Sequence, residues 1–304
     1  MPAGPPFSME NFFTTRQKIC LGAITVLLLL NIFIWQQVWI LALPRHLKVR
    51  VLDIGQGDSI FIETPSMRHI IIDGGVDAMV MSKLHKLLPF WQRHLDVVML
   101  THPDADHLNG LLYVLKKYKV DYIIWNGVVR GGEQYQVWLT LLEKAKKQGT
   151  KIIITKAGDQ IKNDKVAIET LHPFINIEGR DARPKNEDND TGIVSRLTYG
   201  KNSFLFTADV SSVVEEALVK GEATLTSDVL KVAHHGSRFS TSENFLEAVH
   251  PDLAVISVGA KNTYGHPAIE VLQRLQNFGI TTLRTDEQGT VEILSDGENI
   301  KVIK

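Results

Sequence analysis

The sequence predicts an α/β fold, an αββα four-layer sandwich preceded by one N-terminal transmembrane helix. Three observations predict it. A 25-residue uncharged apolar run lies near the N-terminus. Two successive sets of short apolar strands alternate with amphipathic helices, the pattern of two sheets packed face to face under outer helices. A histidine and aspartate cluster follows one strand that reads as buried.

The apolar run is Ile19–Leu43. That length of helix crosses a hydrocarbon core of roughly 30 Å. Arg16 and Lys18 precede it, Arg45 and Lys48 follow it, and Trp35 and Trp39 suit an interfacial belt. A cleaved secretory signal is the competing reading, but the run is long for one and no small-x-small site follows. The expected organisation is disorder over 1–18, a membrane anchor over 19–43 and one folded α/β domain over 45–304. The flanking positive charges are nearly balanced, so orientation stays open.

After Pro44 the pattern turns to β. Strands are expected at Leu47–Ile54, Ser59–Glu63 and His69–Asp73, separated by Gly55-Gln-Gly-Asp58 and Pro65-Ser66. Helix Met79–Leu88 leads to Asp96–Leu100, a continuous apolar run suited to a strand covered on both faces. Helix Leu108–Lys117, strand Val120–Trp125 and helix Gln134–Gln148 follow, the last ended by Gly149. Lys151–Thr155 and Val166–His172 read as strands, and Asn176–Thr191 as a polar surface loop. The second half repeats the style. Strands are expected at Ile193–Tyr199, Ser203–Thr207, Val229–Ala233, Leu253–Val258, Thr281–Arg284 and Thr290–Leu294, and helices at Val213–Lys220, Ser242–Val249 and Ala268–Phe278.

Lys and Arg number 33 against 34 Asp and Glu, so no global basic surface points to nucleic acid. Any such binding must come from a local patch or from metal ions. The single cysteine, Cys20, permits no internal disulfide and rules out a cysteine-rich metal site.

The chemistry gathers at strand ends. His102-Pro-Asp104-Ala-Asp106-His107 puts four metal-ligand types into six residues. A lone strand-end Asp is more often a helix cap or turn former. Capping accounts for one member of this cluster, not four. Asp209 lies at the end of the apolar strand Ser203–Thr207, His234-His235-Gly236-Ser237 follows Val229–Ala233, and Tyr264-Gly265-His266-Pro267 lies just beyond Leu253–Val258. Four strands each ending in a ligand argue for one shared site on a rigid base. Such a site suits two-metal hydrolysis, in which water is activated at neutral pH.

His102-x-Asp104-x-Asp106-His107 resembles the signature of the metallo-β-lactamase superfamily, with Asp104 where many members carry a second histidine. Val51-Leu-Asp-Ile-Gly-Gln-Gly-Asp58, Ile71-Ile-Asp73-Gly-Gly75, Thr207-Ala-Asp209, Lys231-Val-Ala-His-His-Gly-Ser237 and Asn262-Thr-Tyr-Gly-His-Pro267 narrow the match. Together they resemble the extracytoplasmic hydrolase domain of the ComEC competence family, over about residues 47–300. That family usually reads Thr-Gly-Asp where this chain has Thr207-Ala208-Asp209.

The resemblance implies two divalent metal ions, zinc first and manganese as the alternative. One would be held by His102, Asp104 and one histidine of the His234/His235 pair, taken as His235. The other would be held by Asp106, His107 and His266, with Asp209 between the two. A further histidine often found near 190–195 is absent, since Asn189, Asp190 and Ser195 stand there. Asp73 would orient ligands. Asp53 and Asp58, in the Gly-rich turn, support the site or simply form the turn. Asp106, His234 and His235 are the expected catalytic residues. Ser237, Arg238, Lys261, Asn262 and Tyr264 flank the ligands and are candidates to contact phosphate. Only one apolar segment is present, so the resemblance implies the hydrolase rather than a translocation pore.

The expected activity is phosphodiester cleavage, on DNA, by a single-pass membrane protein with its hydrolase domain outside the cytoplasm. Hydrolysis of a small phosphoester, thioester or lactam is the alternative. A non-catalytic accessory protein is the third reading, and it would leave buried ligand charges uncompensated.

Overall fold

The computed structural model describes residues 14–42, 45–182 and 189–303. Positions 1–13 of the disorder expected over 1–18, Leu43 at the end of the apolar run, Pro44 and the middle of the 176–191 loop lie outside these residues. Two units are present, Met1–Pro44 and Arg45–Lys304. In the first, helix α1 runs Thr15–Ala42. It starts before the apolar run, so Arg16 and Lys18 are helical rather than part of a disordered lead. Its stretch Thr15–Gln36, of mean hydropathy 2.2, is long and apolar enough to cross a membrane.

The second unit begins with β1 (Leu47–Val51), β2 (Ile60–Glu63), β3 (His69–Ile72), α2 (Met79–Leu87), β4 (His94–Leu100), α3 (Ala105–Lys117), β5 (Lys119–Trp125), α4 (Glu133–Lys147) and β6 (Lys151–Ile154). It continues with β7 (Gln160–Asn163), β8 (Val166–His172), β9 (Val194–Tyr199), β10 (Asn202–Phe206), α5 (Ser212–Lys220), β11 (Val229–Lys231), α6 (Glu243–Val249) and β12 (Leu253–Ile256). α7 (Ile269–Asn277), β13 (Thr281–Arg284), α8 (Thr285–Gln288), β14 (Val291–Ser295) and β15 (Ile300–Ile303) complete it. Strands β7 and β15 and the short α8 were not foreseen from sequence.

One sheet has the order β15-β14-β1-β2-β3-β4-β5-β6 and the other β13-β12-β11-β10-β9-β8-β7. Both are mixed. The run β3 to β6 is parallel, as is the run β10 to β13. The period-2 alternation of each strand decides which layer a side chain joins. Ile60, Ile62, Ile70, Ile72, Val97 and Met99 face Phe204, Phe206, Val229 and Val255 between the sheets. Phe61, Ile71 and Val98 point the other way, under Leu84, Leu111 and Trp138 of α2–α4. Leu205, Leu230 and Ala254 likewise pack beneath Val214, Phe245 and Val271 of α5–α7. Each such side chain contributes about 1.5–3 kcal/mol by leaving water. The αββα sandwich is therefore the observed architecture.

This layering puts the C-terminal ends of β3, β4, β10, β11 and β12 along one rim. Ligand sites in open α/β sheets lie beyond strand C-termini. The segments after those five strands carry Asp73, His102–His107, Asp209, His234–His235 and Ser257.

Candidate metal centre

The first cluster is shaped by a strand stopping and a helix starting. β4 ends at Leu100 and α3 begins at Ala105, with Asp104 at its N-cap. Asp106 and His107 thus sit in the first helical turn, where the sequence reading had a loop. The main chain of Asp106 is closed in by the Gly-rich turn. A Cβ on Gly57 would lie 2.1 Å from the Asp106 carbonyl oxygen, and Gly57 has φ +103°. Only glycine lets the turn approach so closely. Asp58 N then donates to that carbonyl at 3.2 Å.

Three buried imidazoles converge, and each is oriented from behind. His107 Nδ1 lies 2.8 Å from Asp73 Oδ2. His102 Nδ1 lies 3.0 Å from Thr101 Oγ1, whose hydroxyl donates to Asp73 Oδ2 at 2.7 Å. His235 Nδ1 lies 2.9 Å from the Ser257 carbonyl oxygen. With Nδ1 engaged as donor in all three, Nε2 is the atom that faces inward, and its lone pair is open to a metal ion once the ring is neutral. His107 Nε2 and His235 Nε2 are each 3.3 Å from Asp209 Oδ2. His235 Nε2 is also 3.4 Å from Asp106 Oδ2.

The electrostatics reflect this crowding. Burial raises Asp209, but the charges of His235 and His107 outweigh it and hold the carboxyl well below its ordinary value. Burial also raises Asp106, and His235 and His107 again win. Conversely, burial lowers His107 and His235, yet neighbouring carboxylates, Asp209 foremost, hold both well above 6.5. Burial, then the His107 charge, pushes His102 down to about 3. A dense acidic cluster here takes its positive charge from two imidazoles.

The donor set fits divalent metal ions. His102 Nε2, His107 Nε2, His235 Nε2 and Asp209 Oδ1 are buried with no hydrogen-bond partner. Unpartnered buried polar atoms are costly unless something else satisfies them. Ligand atoms of His102, His107 and Asp209 lie within 4.8 Å of one another, as do those of Asp106, His107 and His235. An oxygen and imidazole set of this kind accommodates zinc or manganese.

The structure redistributes several expected roles. His235 groups with Asp106 and His107, not with His102 and Asp104. The carboxylate of Asp104 is instead bound by Arg130, and its other oxygen is 3.9 Å from His102 Nε2. His266 joins none of the convergent groups among the described residues. Its ring lies against His234, at 5.6 Å between centroids. His234 stands at the mouth, 4.0 Å from Asp209 Oδ2, with Asn189 Nδ2 at 3.4 Å.

Two expected substrate contacts have other work. Ser237 is buried, and its Oγ accepts from Phe239 N. Both ends of the Asn262 side chain are used within its own loop. Its Oδ1 accepts from Tyr264 N and His266 N, and its Nδ2 donates to the Gly259 and His266 carbonyls. Arg238, Lys261 and Tyr264 are exposed. Asp53 pairs with Lys83 at 3.3 Å and takes no part in the convergence.

Asp58 is more central than its turn position suggested. It is buried, forms an ion pair with buried Lys231, and its Oδ1 lies 3.4 Å from His235 Nδ1. Lys231 was missed as a functional residue. Its signal was present, because a lysine inside the apolar strand Val229–Ala233 is unusual without a buried partner. Thr101, Arg130 and the Ser257 carbonyl carried no comparable signal.

The backbone around the second half of the centre is unusual. Ala208, His234 and His235 adopt φ of +47°, +48° and +54°. A Cβ disfavours this region, so Ala208 sits in a conformation that glycine adopts without steric cost.

Known proteins agree with the geometry. The family model described as Metallo-beta-lactamase superfamily matches residues 52–260. The chain is 34% identical over 263 residues to ComE operon protein 3 of Bacillus subtilis, covering 81% of this chain and 32% of that protein. It is 34% identical over 246 residues to Competence protein ComA of Neisseria gonorrhoeae, covering 80% and 32%. The chain thus spans about a third of the length of these curated relatives. Among solved structures, the metallo-beta-lactamase fold protein YhfI from Bacillus subtilis superposes with a TM-score of 0.51 at 14% identity. That match covers 82% of this chain and all of YhfI, and bears on the fold alone. The histidine and aspartate rim, its sandwich and these matches lead to one conclusion: the chain belongs to the metallo-β-lactamase superfamily, as a hydrolase-type domain homologous to competence proteins.

Proposed function

We propose that this protein is a membrane-anchored two-metal hydrolase that cleaves phosphodiester bonds in DNA. The observation that carries the reading is the convergence of three inward Nε2 atoms on Asp209. The relatives' names, Competence protein ComA and Recombination protein 2, point to processes that handle DNA. The long apolar stretch of α1 supports the anchor over 19–43; in this reading the hydrolase domain of 45–304 lies outside the cytoplasm.

His102, His107 and Asp209 would hold one ion, and Asp106 and His235 would hold the other. Zinc suits the three imidazoles, and the carboxylates leave manganese open. Divalent ions in such a site supply Lewis acidity and lower the pKa of water toward 7. The chain's own residues do the rest. Asp73 holds His102 and His107 in one tautomer, and Ser257 does so for His235. His235 is buried, with Nδ1 engaged by the Ser257 carbonyl and Nε2 aimed unpartnered into the cluster, so it is a ligand rather than a proton carrier. His234, half-exposed at the mouth, is placed to hand a proton to the leaving oxygen. Burial lowers its pKa below 6.5. The proton donor is therefore scarce at neutral pH, and its contribution falls as pH rises. Arg238 and Lys261 attract the phosphate backbone from the rim.

The test uses the detergent-solubilised full chain with Zn²⁺ or Mn²⁺ on single-stranded DNA, bis-p-nitrophenyl phosphate and nitrocefin. DNA cleavage lost by at least about 100-fold in Asp209→Ala is expected. Turnover of nitrocefin alone would move the reading to a small-ester or lactam hydrolase. Metal uptake without hydrolysis of any substrate would leave a binding protein.

A further inference from the structure

We propose that Tyr264, His266 and His234 form a ring ladder that receives an unpaired base beside the scissile phosphodiester, so that the substrate strand is single-stranded. The proposal rests on the phosphodiesterase reading above and adds a substrate class to it.

The ladder runs without interruption from solvent to the metal centre. Tyr264 is 70% exposed and lies nearly parallel to His266, at 6.0 Å and 14°. His266 meets His234 edge-on at 5.6 Å. His234 then reaches to 4.0 Å from Asp209. An exposed aromatic face aligned with rings that end at the hydrolytic atoms is a place for another flat ring.

The ladder is also pre-formed. Asn262 ties its loop together through four hydrogen bonds, two of them to the backbone N–H groups of Tyr264 and His266. The Tyr264 and His234 loops are joined where Ala268 N donates to Gly236 O at 2.8 Å. There Gly236 leaves no room for a side chain against Pro267. A ring held still before binding loses little entropy on stacking. Arg238 and Lys261 are exposed on the same two loops. Cations flanking a stacking ring are the pattern of sequence-tolerant binding to single strands. In a duplex the bases already stack and pair, so their faces are closed to Tyr264.

The experiment measures fluorescence anisotropy of labelled oligothymidylate of about 12 nucleotides. Phosphorothioate linkages resist cleavage, and the protein is the full chain in detergent with Mn²⁺. One nucleotide at a time is made abasic. Wild type is expected to lose roughly tenfold in affinity at one position of the strand. Tyr264→Ala should lose the same factor on the intact strand and nothing further at that abasic position, whereas Tyr264→Phe keeps the discrimination. Phe239→Ala, an exposed ring on the neighbouring loop, should keep it too. Losses from Tyr264→Ala and from the abasic position that multiply independently would overturn the ladder. So would equal affinity for the blunt duplex, or loss of discrimination in Phe239→Ala. Cleavage of DNA without any abasic sensitivity sinks the ladder alone. Absence of phosphodiester cleavage altogether sinks the reading beneath it.

Discussion

Two buried aspartates stand behind the imidazoles of this centre, and they are held in opposite ways. Asp73 backs His107 and, through Thr101, His102. Burial raises its pKa above the ordinary value, and the His107 charge only partly opposes that. Asp58 backs His235 from the other side. Burial raises it as well, but the Lys231 ammonium together with His235 and His107 outweighs burial and leaves the carboxyl below its ordinary value. The first half of the centre therefore relies on hydrogen bonds to imidazole, the second on a buried ion pair between the two sheets. The difference teaches that one ligand geometry can be supported by two electrostatic arrangements. The ion pair should matter more for folding and the hydrogen-bonded carboxylate more for metal affinity.

The largest effect should come from breaking the ion pair. Lys231→Met leaves the Asp58 charge buried and unpaired, and is expected to cost about 3–5 kcal/mol in urea unfolding. Asp58→Asn combined with Lys231→Met should cost less than Lys231→Met alone. A near-unchanged midpoint for the single variant would mean the two halves do not differ as described.

Asp73→Asn probes the other half. It removes the carboxylate that orients two imidazoles, and metal affinity should fall about 10–100-fold in a competition titration. If folding stability drops as far as in Lys231→Met, the contrast fails.

A pH series comes next. The raised pKa values of His107 and His235 mean that the metal-free chain stabilises their charged forms. That contribution is fully present below about pH 6.5 and is lost as pH rises through the raised values. Stability measured in chelator should therefore decline on the alkaline side. Metal affinity should move oppositely, rising with pH as protons leave the ligand nitrogens. Chelator-treated protein that grows more stable with pH across that window would contradict the assignment.

The smallest effect belongs to Ala208→Gly. Relief of the left-handed backbone at φ +47° is opposed by the added freedom of the unfolded chain, for a gain of at most about 1 kcal/mol. Thermal unfolding reads it, and a loss of stability would show that Ala208 is not strained.

Much of the fold was legible because alternation is local. The parity of Ile60, Phe61 and Ile62, or of Phe204, Leu205 and Phe206, tells each side chain its layer. β7 escaped because Gln160–Asn163 is largely polar, and β15 because it follows a Gly-containing turn near the C-terminus. The His102–His107 cluster was legible for the same local reason, four ligand types within six residues. Its helical start was not, since Ala-Asp-His carries no apolar period of its own. Which of His234 and His235 points inward depends on consecutive left-handed residues after β11, and no side-chain pattern encodes that. Ser237 and Asn262 carry polar groups suited to phosphate, but folding their own loops uses them.

By itself, then, the sequence determined the layers, the strand ends and the residue types that gather there, because these follow from periodicity and from which side chains can leave water. The tertiary structure decided the partnerships: Asp104 with Arg130, His235 with Asp106 and Asp209, His266 with Tyr264. It also joined Asp58 to Lys231, 173 residues away along the chain. Such pairings depend on where two sheets bring distant atoms within a few ångströms, and a chain's local pattern holds no record of that distance.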